Sequence, residues 1–355
     1  MTAPALPALV DELTATWFST VLGHEVTDAT VVDRSSGTTG RARVALRGDP
    51  GVPATVFVKL APFDEWQRSL VDTTGMGVAE ARFYRDLAPE VPVRVPGVWY
   101  AQTAGPEYVM VLEDLTASGC RFPRPTDADI GERARDIVEQ LAALHARYWE
   151  SPRFGVGGDL EWLVERGTRG GGGGGSFIAR AVDALAGELG NGLDGEFRRI
   201  ADLYLARPAD IVALWRTGPG TLVHGDAHLG NLFVDVEDGG RTGFLDWAVL
   251  CRAPGIRDVA YVLCNSVPTD VRASIERGLV DRWCALLAAG GIDIDPDEIW
   301  DEYRIHALYS WVSAASTAAM GSKWQPLSIG LGATRRATAA LAHLGTADVI
   351  ESRLG

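Results

Sequence analysis

The sequence predicts an α+β protein in which a strand-rich N-terminal part precedes a larger, mostly helical remainder. Short segments rich in β-branched residues and bounded by turn signals concentrate before residue 115, as is typical of strands. From residue 125 onward, apolar residues recur with a helical period. We therefore expect two domains, 1–115 and 116–355, in this chain of 355 residues.

The N-terminal part is predicted to contain a helix over residues 1 to about 25, three strands, a helix over 77–88 and two further strands. A small polar loop, Ser35–Gly40, separates the first two strands, and Gly105-Pro106 marks the turn between the last two. The predicted strands are 29–34, 42–48, 53–61, 95–102 and 106–115.

Composition narrows the classes of partner and compartment. A formal net charge of −14 argues against nucleic acid as a partner. The four cysteines include no C-x-x-C pair, so neither a structural zinc site nor a disulfide framework is expected. The sequence shows no signal-peptide pattern and no apolar run of about 18 residues. We expect a cytoplasmic protein that does not bind membranes, and its oligomeric state stays open.

The C-terminal part begins with a predicted helix at Ile130, for which Thr126 or Asp127 could be the N-cap. The six glycines of Gly170–Gly175 predict either a flexible surface loop or a mobile flap near a substrate. Two short apolar runs around Gly239-Gly240 predict a hairpin.

The sequence LVHGDAHLGNLFVD concentrates proton-handling and metal-binding side chains immediately before this hairpin. His224, Asp226, His228 and Asn231 lie in one loop, and Asp246 directly follows the second strand. A hairpin brings the start of its first strand and the end of its second to the same end. The polar residues are therefore expected to converge there.

This spacing suits phosphoryl transfer, which requires positioning, charge neutralisation and a proton acceptor. Asp226 could accept the proton of a hydroxyl group. Asn231 and Asp246 could provide oxygen ligands to Mg²⁺. The string HGD-x-x-x-x-N with a later aspartate follows the kinase pattern H-R-D-x-x-x-x-N.

The N-terminal part carries the nucleotide-binding residues of that pattern in the expected order. Lys59, in the third strand, stands where a kinase lysine binds the nucleotide phosphates, and Glu80 stands on the next helix, where its partner belongs. The remaining candidates are the loop residues Ser36, Gly37 and Thr38, whose N–H groups could cover the phosphates, and Glu113 and Leu115, whose backbone could bind adenine.

The strings HGDAHLGN and FLDW, with the upstream lysine in VFVKL, resemble the aminoglycoside phosphotransferase and choline kinase superfamily. EARFYRDLAP, VLEDL and LAALHARYW are similar to its bacterial branch near the ecdysteroid kinase-like group. The likeness extends over residues 30–340. It implies a two-lobed protein-kinase-like fold, with a small antiparallel-sheet N-lobe and a larger, mostly helical C-lobe.

The resemblance implies Asp226 as the catalytic base and Asn231 and Asp246 as Mg²⁺ ligands, with Lys59 binding phosphate. Asp258, in GIRDVAYVL, matches a family aspartate that braces the catalytic loop through backbone hydrogen bonds. The implied activity transfers the γ-phosphate of ATP to a hydroxyl of a small molecule. The C-terminal part lacks the terminal motif of antibiotic-modifying members, which argues against an aminoglycoside acceptor.

Alternative functions stay open at this stage. The protein could be an antibiotic kinase, or a nucleotide-binding regulator without catalysis, although the complete residue set argues against a regulator. A protein kinase is disfavoured because no APE segment follows Asp246. His224 and His228 could bind zinc with Asp226, or instead brace the loop by hydrogen bonds.

Two further features have competing interpretations. The acidic segment around Pro296 could bind a cation, but acids and a proline are also typical of a helix start, which we favour. Tyr309, Trp311 and Trp324 could line an acceptor pocket or pack in the core.

Overall fold

The chain divides into two compact units, one strand-rich and one helical. A computed structural model describes residues 5–164, 178–180, 195–320 and 327–355. The first unit comprises Met1–Arg121 and Phe233–Val249, and the second comprises Phe122–Leu232 and Leu250–Gly355. The predicted division at residue 115 assigns 233–249 to the C-terminal part instead. This segment joins the first unit because its strands form backbone bridges to residues 94 and 121.

The first unit contains an antiparallel five-stranded sheet with the order β1-β2-β3-β5-β4, which confirms the predicted fold class. Buried and partly exposed residues alternate along β2, so that Ala42, Val44 and Leu46 face a core that also holds Phe18. The strands are β1 Val26–Ser36, β2 Gly40–Gly48, β3 Thr55–Leu60, β4 Val98–Ala104 and β5 Glu107–Glu113.

Three helices accompany this sheet: α1 Ala15–Leu22, α2 Glu65–Thr74 and α3 Met76–Arg82. The predicted helix over 1–25 is wrong at its start, because Thr14 is extended and caps α1 by accepting the Trp17 amide. Helix α3 continues as a π-helical turn to Leu87, which confirms the helix predicted over 77–88. Helix α2 was not predicted.

The predicted hairpin consists of β7, Leu232–Asp235, and β8, Arg241–Phe244. Gly239 and Gly240 have φ angles of 63° and 80°, a region that favours glycine. The turn therefore depends on the two residues that indicated it in the sequence.

The second unit is mostly helical, and its helix α7 is buried by the rest of the unit. Every residue of α7 is buried, as expected for a helix that is apolar on several faces. Strands β6 Thr221–Val223 and β9 Cys251–Ala253 pair beside it. The helices in the described part of this unit are α4 Ile130–Tyr148, α5 Gly195–Ala206, α6 Pro208–Leu214, α7 Ile256–Ser266, α8 Thr269–Ala289, α9 Pro296–Met320, α10 Leu327–Leu344 and α11 Thr346–Leu354.

Helix starts in this unit test three predictions. Helix α4 begins at Ile130 as predicted, but its N-cap is Asp129, which makes no side-chain cap bond. The predicted cap Asp127 instead accepts the Arg124 amide. Pro296 is the first residue of α9, which confirms the helix-start interpretation.

Gly170–Gly175 and Trp324, for which we made predictions, lie outside the described residues. Among described helices, none is long and apolar enough to cross a membrane.

Candidate active site

The loop that follows β6 is built around a glycine in a left-handed conformation. Gly225 has a φ of 82°, which side chains with a Cβ rarely tolerate. Beyond it, the His228 ring accepts the Gly230 amide and begins a 3₁₀ turn that ends at Asn231. The chain continues from this turn directly into β7.

Asp258, in the first turn of α7, holds the start of this loop. Its carboxylate accepts the His224 amide at 2.7 Å and the Gly225 amide at 2.9 Å. His145 lies 3.4 Å away through Nε2, and Trp283 donates to its other nitrogen, so Nε2 carries the proton. Burial alone would raise the pKa of Asp258, but the hydrogen bonds from His145 and the loop hold that pKa below its ordinary value.

Asp226 is the partly exposed carboxylate of the loop, with 29% of its side chain accessible. The Tyr261 hydroxyl donates to its Oδ1 at 2.5 Å, and Asn231 Nδ2 donates to its Oδ2 at 2.9 Å. His228 Nε2 lies 3.7 Å from the same Oδ2. Asn231 Nδ2 also donates to the Asp226 carbonyl, so both of these hydrogen bonds use the nitrogen of the Asn231 amide.

The first unit contains a cluster of opposite charges around Lys59. Its Nζ lies 2.6 Å from Glu80 and 3.2 Å from Asp246 Oδ1, with only 4% of the residue accessible. Arg41, directly opposite Lys59 in the β2–β3 register, reaches Asp246 Oδ2 at 3.7 Å. Asp246 has a φ of 62°, unusual for a residue other than glycine. Such strain is typical of functional sites.

The predicted phosphate loop packs against the segment before α2. The Ser36 hydroxyl accepts the Phe63 amide at 3.0 Å. The Gly37 amide donates to the Thr39 carbonyl, and Thr38 is half-buried. The Gly37 amide would have to exchange its present partner to bind a phosphate.

Of the two residues expected at an adenine site, one is the last residue of β5 and the other lies just after it. Both carboxylate oxygens of Glu113 accept hydrogen bonds from Nη2 of Arg94, and the Glu113 amide donates to the Gly97 carbonyl. Leu115 is buried, and its carbonyl accepts the Cys120 amide. The Glu113 amide therefore already has a backbone partner.

The two histidines of the loop act as internal hydrogen-bond acceptors. His224 Nδ1 accepts the Asp226 amide at 3.2 Å, and His228 Nδ1 accepts the Gly230 amide at 3.0 Å. Nowhere in the described part of the chain do three His, Cys, Asp or Glu side chains gather as a metal site. The two hydrogen bonds of the histidine rings agree with the bracing interpretation.

The aromatic residues of α9 have different environments. Trp311 is fully buried and donates to Thr338, so it belongs to the core. Tyr309 is half-buried and donates to the Gly225 carbonyl at 3.1 Å. It therefore contacts the loop that carries Asp226.

Sequence reasoning missed Arg41 and Tyr261. Tyr261 lies three residues after Asp258 on a helix, a spacing that could have indicated a shared face. Arg41 carries no such local signal, because its proximity to Lys59 depends on strand register.

The sheet with its buried lysine and the braced loop before a hairpin define a kinase-like phosphotransferase fold. The chain belongs to the Phosphotransferase enzyme family (APH), whose profile matches residues 31–293. This match confirms the resemblance predicted from the motifs.

Solved structures of kinases share this fold. Choline kinase LicA from Streptococcus pneumoniae is 14% identical with a TM-score of 0.50, covering 94% of this chain and 98% of its own. Choline kinase from Cryptosporidium parvum Iowa II is 9% identical with a TM-score of 0.52, covering 92% and 90%. A Ralstonia eutropha JMP134 protein, provisionally an aminoglycoside phosphotransferase, is 14% identical with a TM-score of 0.54, covering 94% and 97%. No curated protein sequence matches the chain significantly.

We expect Asp258→Ala to lower the free energy of unfolding by about 2–4 kcal/mol, because two buried amides lose their acceptor. Since the pKa of Asp258 is lowered on folding, its contribution is present above the ordinary value near 3.8 and disappears as pH falls. Urea denaturation at pH 7 measures the loss. Asp258→Asn, which keeps one acceptor oxygen, should lose less. Equal stability of Asp258→Ala and the parent protein would contradict the bracing role.

Glu80 should make stability depend on pH near neutrality. Burial raises the pKa of Glu80 from 4.5 to about 7, against the opposing charge of Lys59. A raised pKa means that its contribution is complete below about 4.5 and is lost as pH rises through about 7. Relative to Glu80→Gln, the parent protein should lose up to about 3 kcal/mol between these limits. Parallel denaturation curves for both proteins across this range would show that the carboxyl does not titrate there.

Proposed function

We propose that the protein is an ATP- and Mg²⁺-dependent phosphotransferase that moves the γ-phosphate to a hydroxyl of a small molecule, with Asp226 as the base. Family membership supports phosphoryl transfer. The observation that supports the base is the geometry of Asp226, a partly exposed carboxylate in a loop whose start is braced by buried Asp258. A fixed carboxylate is suited to receive a proton from a bound hydroxyl.

We assign Asn231 and Asp246 as the residues that would hold Mg²⁺. Both offer oxygen atoms, which a hard cation prefers. The fit is supported at Asn231, where Nδ2 is committed to Asp226 and the amide oxygen has no such commitment. At Asp246 both oxygens already face cationic side chains, Arg41 and Lys59. When bound, Mg²⁺ supplies charge neutralisation on the phosphates.

We assign the nucleotide phosphates to the first unit. Lys59 is the proposed phosphate ligand, with Glu80 fixing its ammonium group. Arg41 adds a second cation beside it, opposite in the same strand pair. Ser36, Gly37 and Thr38 would contribute to the phosphate contacts, and the backbone at Glu113 and Leu115 would contact the adenine ring.

The surroundings of Asp226 favour an uncharged acceptor. Its carboxylate is in contact with Tyr261, Asn231 and His228, and none of these is a second acid. A cationic amine would usually require further carboxylates when it leaves water. We therefore favour a neutral hydroxylated compound, and a cationic antibiotic is the competing acceptor.

The proposal is tested by a phosphate-transfer screen with purified protein, ATP and Mg²⁺. The acceptor panel contains neutral alcohols and polyols, aminoglycosides and macrolides. ADP release is measured for each compound, and mass spectrometry confirms that the product is phosphorylated. Phosphorylated neutral alcohols would support the proposal. Exclusive turnover of aminoglycosides would replace it with antibiotic modification. ATP binding without transfer to any class would favour a regulator.

With an active acceptor, we expect Asp226→Ala and Asp226→Asn to lower kcat by at least ~10²-fold, a typical general-base contribution. Nucleotide affinity should change little, because the proposed phosphate ligands lie elsewhere in the sequence. Steady-state kinetics and calorimetric ATP titration separate the two quantities. Asp270→Ala, which removes an exposed acid in the first turn of α8, should leave kcat unchanged. Full turnover by Asp226→Asn would refute the base assignment.

Asp246→Ala should reduce the gain in nucleotide affinity caused by Mg²⁺ by at least about 10-fold, because one oxygen ligand is lost. Calorimetric ATP titrations with Mg²⁺ and with EDTA provide this gain for each protein. The parent value is the reference. If the variant keeps the same gain, Asp246 does not bind the metal.

A further inference from the structure

We propose that Tyr261, itself held by Ser313, is a positioning residue that fixes the carboxylate of Asp226 for proton acceptance. The inference rests on the proposed function, since it assigns a role to residues around the proposed base. Neither residue belongs to the sequence motif that indicated the chemistry. Both belong to helices of the second unit, α7 and α9.

The direction of the hydrogen bonds follows from their chemistry. An ionised carboxylate can only accept, so the Tyr261 hydroxyl must donate its single hydrogen to Asp226 Oδ1, at 2.5 Å. The Ser313 Oγ lies 2.8 Å from the same phenol oxygen. Because the phenol has no second hydrogen, Ser313 must donate to it. The chain therefore runs from Ser313 to Tyr261 to Asp226.

Helix α7 holds the base at two points. Asp258 accepts the amides of the two residues before Asp226, and Tyr261, one turn later on the same buried helix, holds the side chain. Residues three apart on a helix are separated by about 4.5 Å along the axis. One rigid element thus fixes both the backbone and the carboxylate of Asp226.

The two oxygens of Asp226 have donors from different sources. Tyr261 binds Oδ1, whereas Asn231 binds Oδ2. A carboxylate oxygen has more than one lone pair, so each keeps room for an acceptor hydroxyl. Two donors on opposite oxygens restrict the rotation of the carboxylate plane. Loss of either donor should allow that plane to turn.

Tyr261 is suited to remain a donor throughout turnover. Burial, together with the nearby charge of Asp226, raises its pKa well above 10. Its ring lies 5.7 Å from that of Tyr309, which itself donates to the Gly225 carbonyl. The phenol is therefore fixed in a packed environment and stays protonated at neutral pH.

The test compares Tyr261→Phe with a matched control. Tyr303 is also a fully buried phenol that donates to a buried carboxylate, Glu276, at 2.8 Å. If the hydrogen bond matters through positioning, Tyr261→Phe should lower kcat by about 10-fold, the usual scale for a charge-assisted bond, and leave the KM for ATP within about twofold. Tyr303→Phe should leave kcat unchanged, whatever its effect on thermal stability. Equal kcat losses in the two variants would indicate general destabilisation and overturn the proposal.

Ser313→Ala provides the second variant, since it removes only a half-buried hydroxyl. We expect it to lower kcat by about 2–5-fold. Because Ser313 acts through Tyr261, adding Ser313→Ala to Tyr261→Phe should cause no further loss. A double variant that multiplies the two losses would show independent roles and contradict the proposed chain.

Crystal structures of the parent and of Tyr261→Phe give a readout that does not require turnover. We expect the Asp226 carboxylate to rotate, or to adopt two orientations, in the variant. An unchanged orientation overturns the positioning role even if kcat falls. If the parent protein transfers phosphate to no acceptor, the proposed function fails, and the carboxylate orientation still decides whether Tyr261 positions Asp226.

Discussion

The buried carboxylate of Asp258 is the constraint on which the loop carrying Asp226 depends. A loop that turns through a left-handed glycine leaves backbone amides that β6 and β7 do not satisfy, and two of these donate to Asp258. An unsatisfied buried amide costs about 1–3 kcal/mol. A carboxylate is stable in this interior only because His145 and the two amides compensate for its lost hydration. The helix and the loop therefore stabilise each other.

A second constraint operates in the strand-rich unit, where Lys59 is nearly inaccessible to water. A buried ammonium group requires opposite charge nearby. Glu80 and Asp246 provide it. The backbone of Asp246 lies in the left-handed region, which is unfavourable for a residue other than glycine. In the function that we propose, Lys59 exchanges one of these carboxylates for a phosphate of the nucleotide.

Local patterns predicted most elements of the fold. Short runs rich in β-branched residues and bounded by turn signals identified the five strands, and paired glycines identified the hairpin, because these signals depend on neighbours in the sequence. Helix α2 and the start of α1 were not identified correctly, since short helices depend on caps such as Thr14 and Asp64 more than on periodicity. The division at residue 115 did not anticipate that 233–249 clusters with the first unit. Such contacts are set by tertiary pairing.

The candidate site shows the same limit. Asp226 and Asn231 were found because their spacing follows a known chemical pattern, and Asp258 was found through the family resemblance. Tyr261 and Arg41 required a helix face and a strand register. Tyr261 and Arg41 thus add contacts to residues that the motifs had already identified.

The chain as a whole carries a formal charge of −14, which opposes the approach of an anionic nucleotide. Screening limits that repulsion to about 8 Å at physiological salt. In the function that we propose, nucleotide binding therefore depends on charges close to the phosphates. Lys59 and Arg41, adjacent across one strand pair, are the cations that we assign to this role.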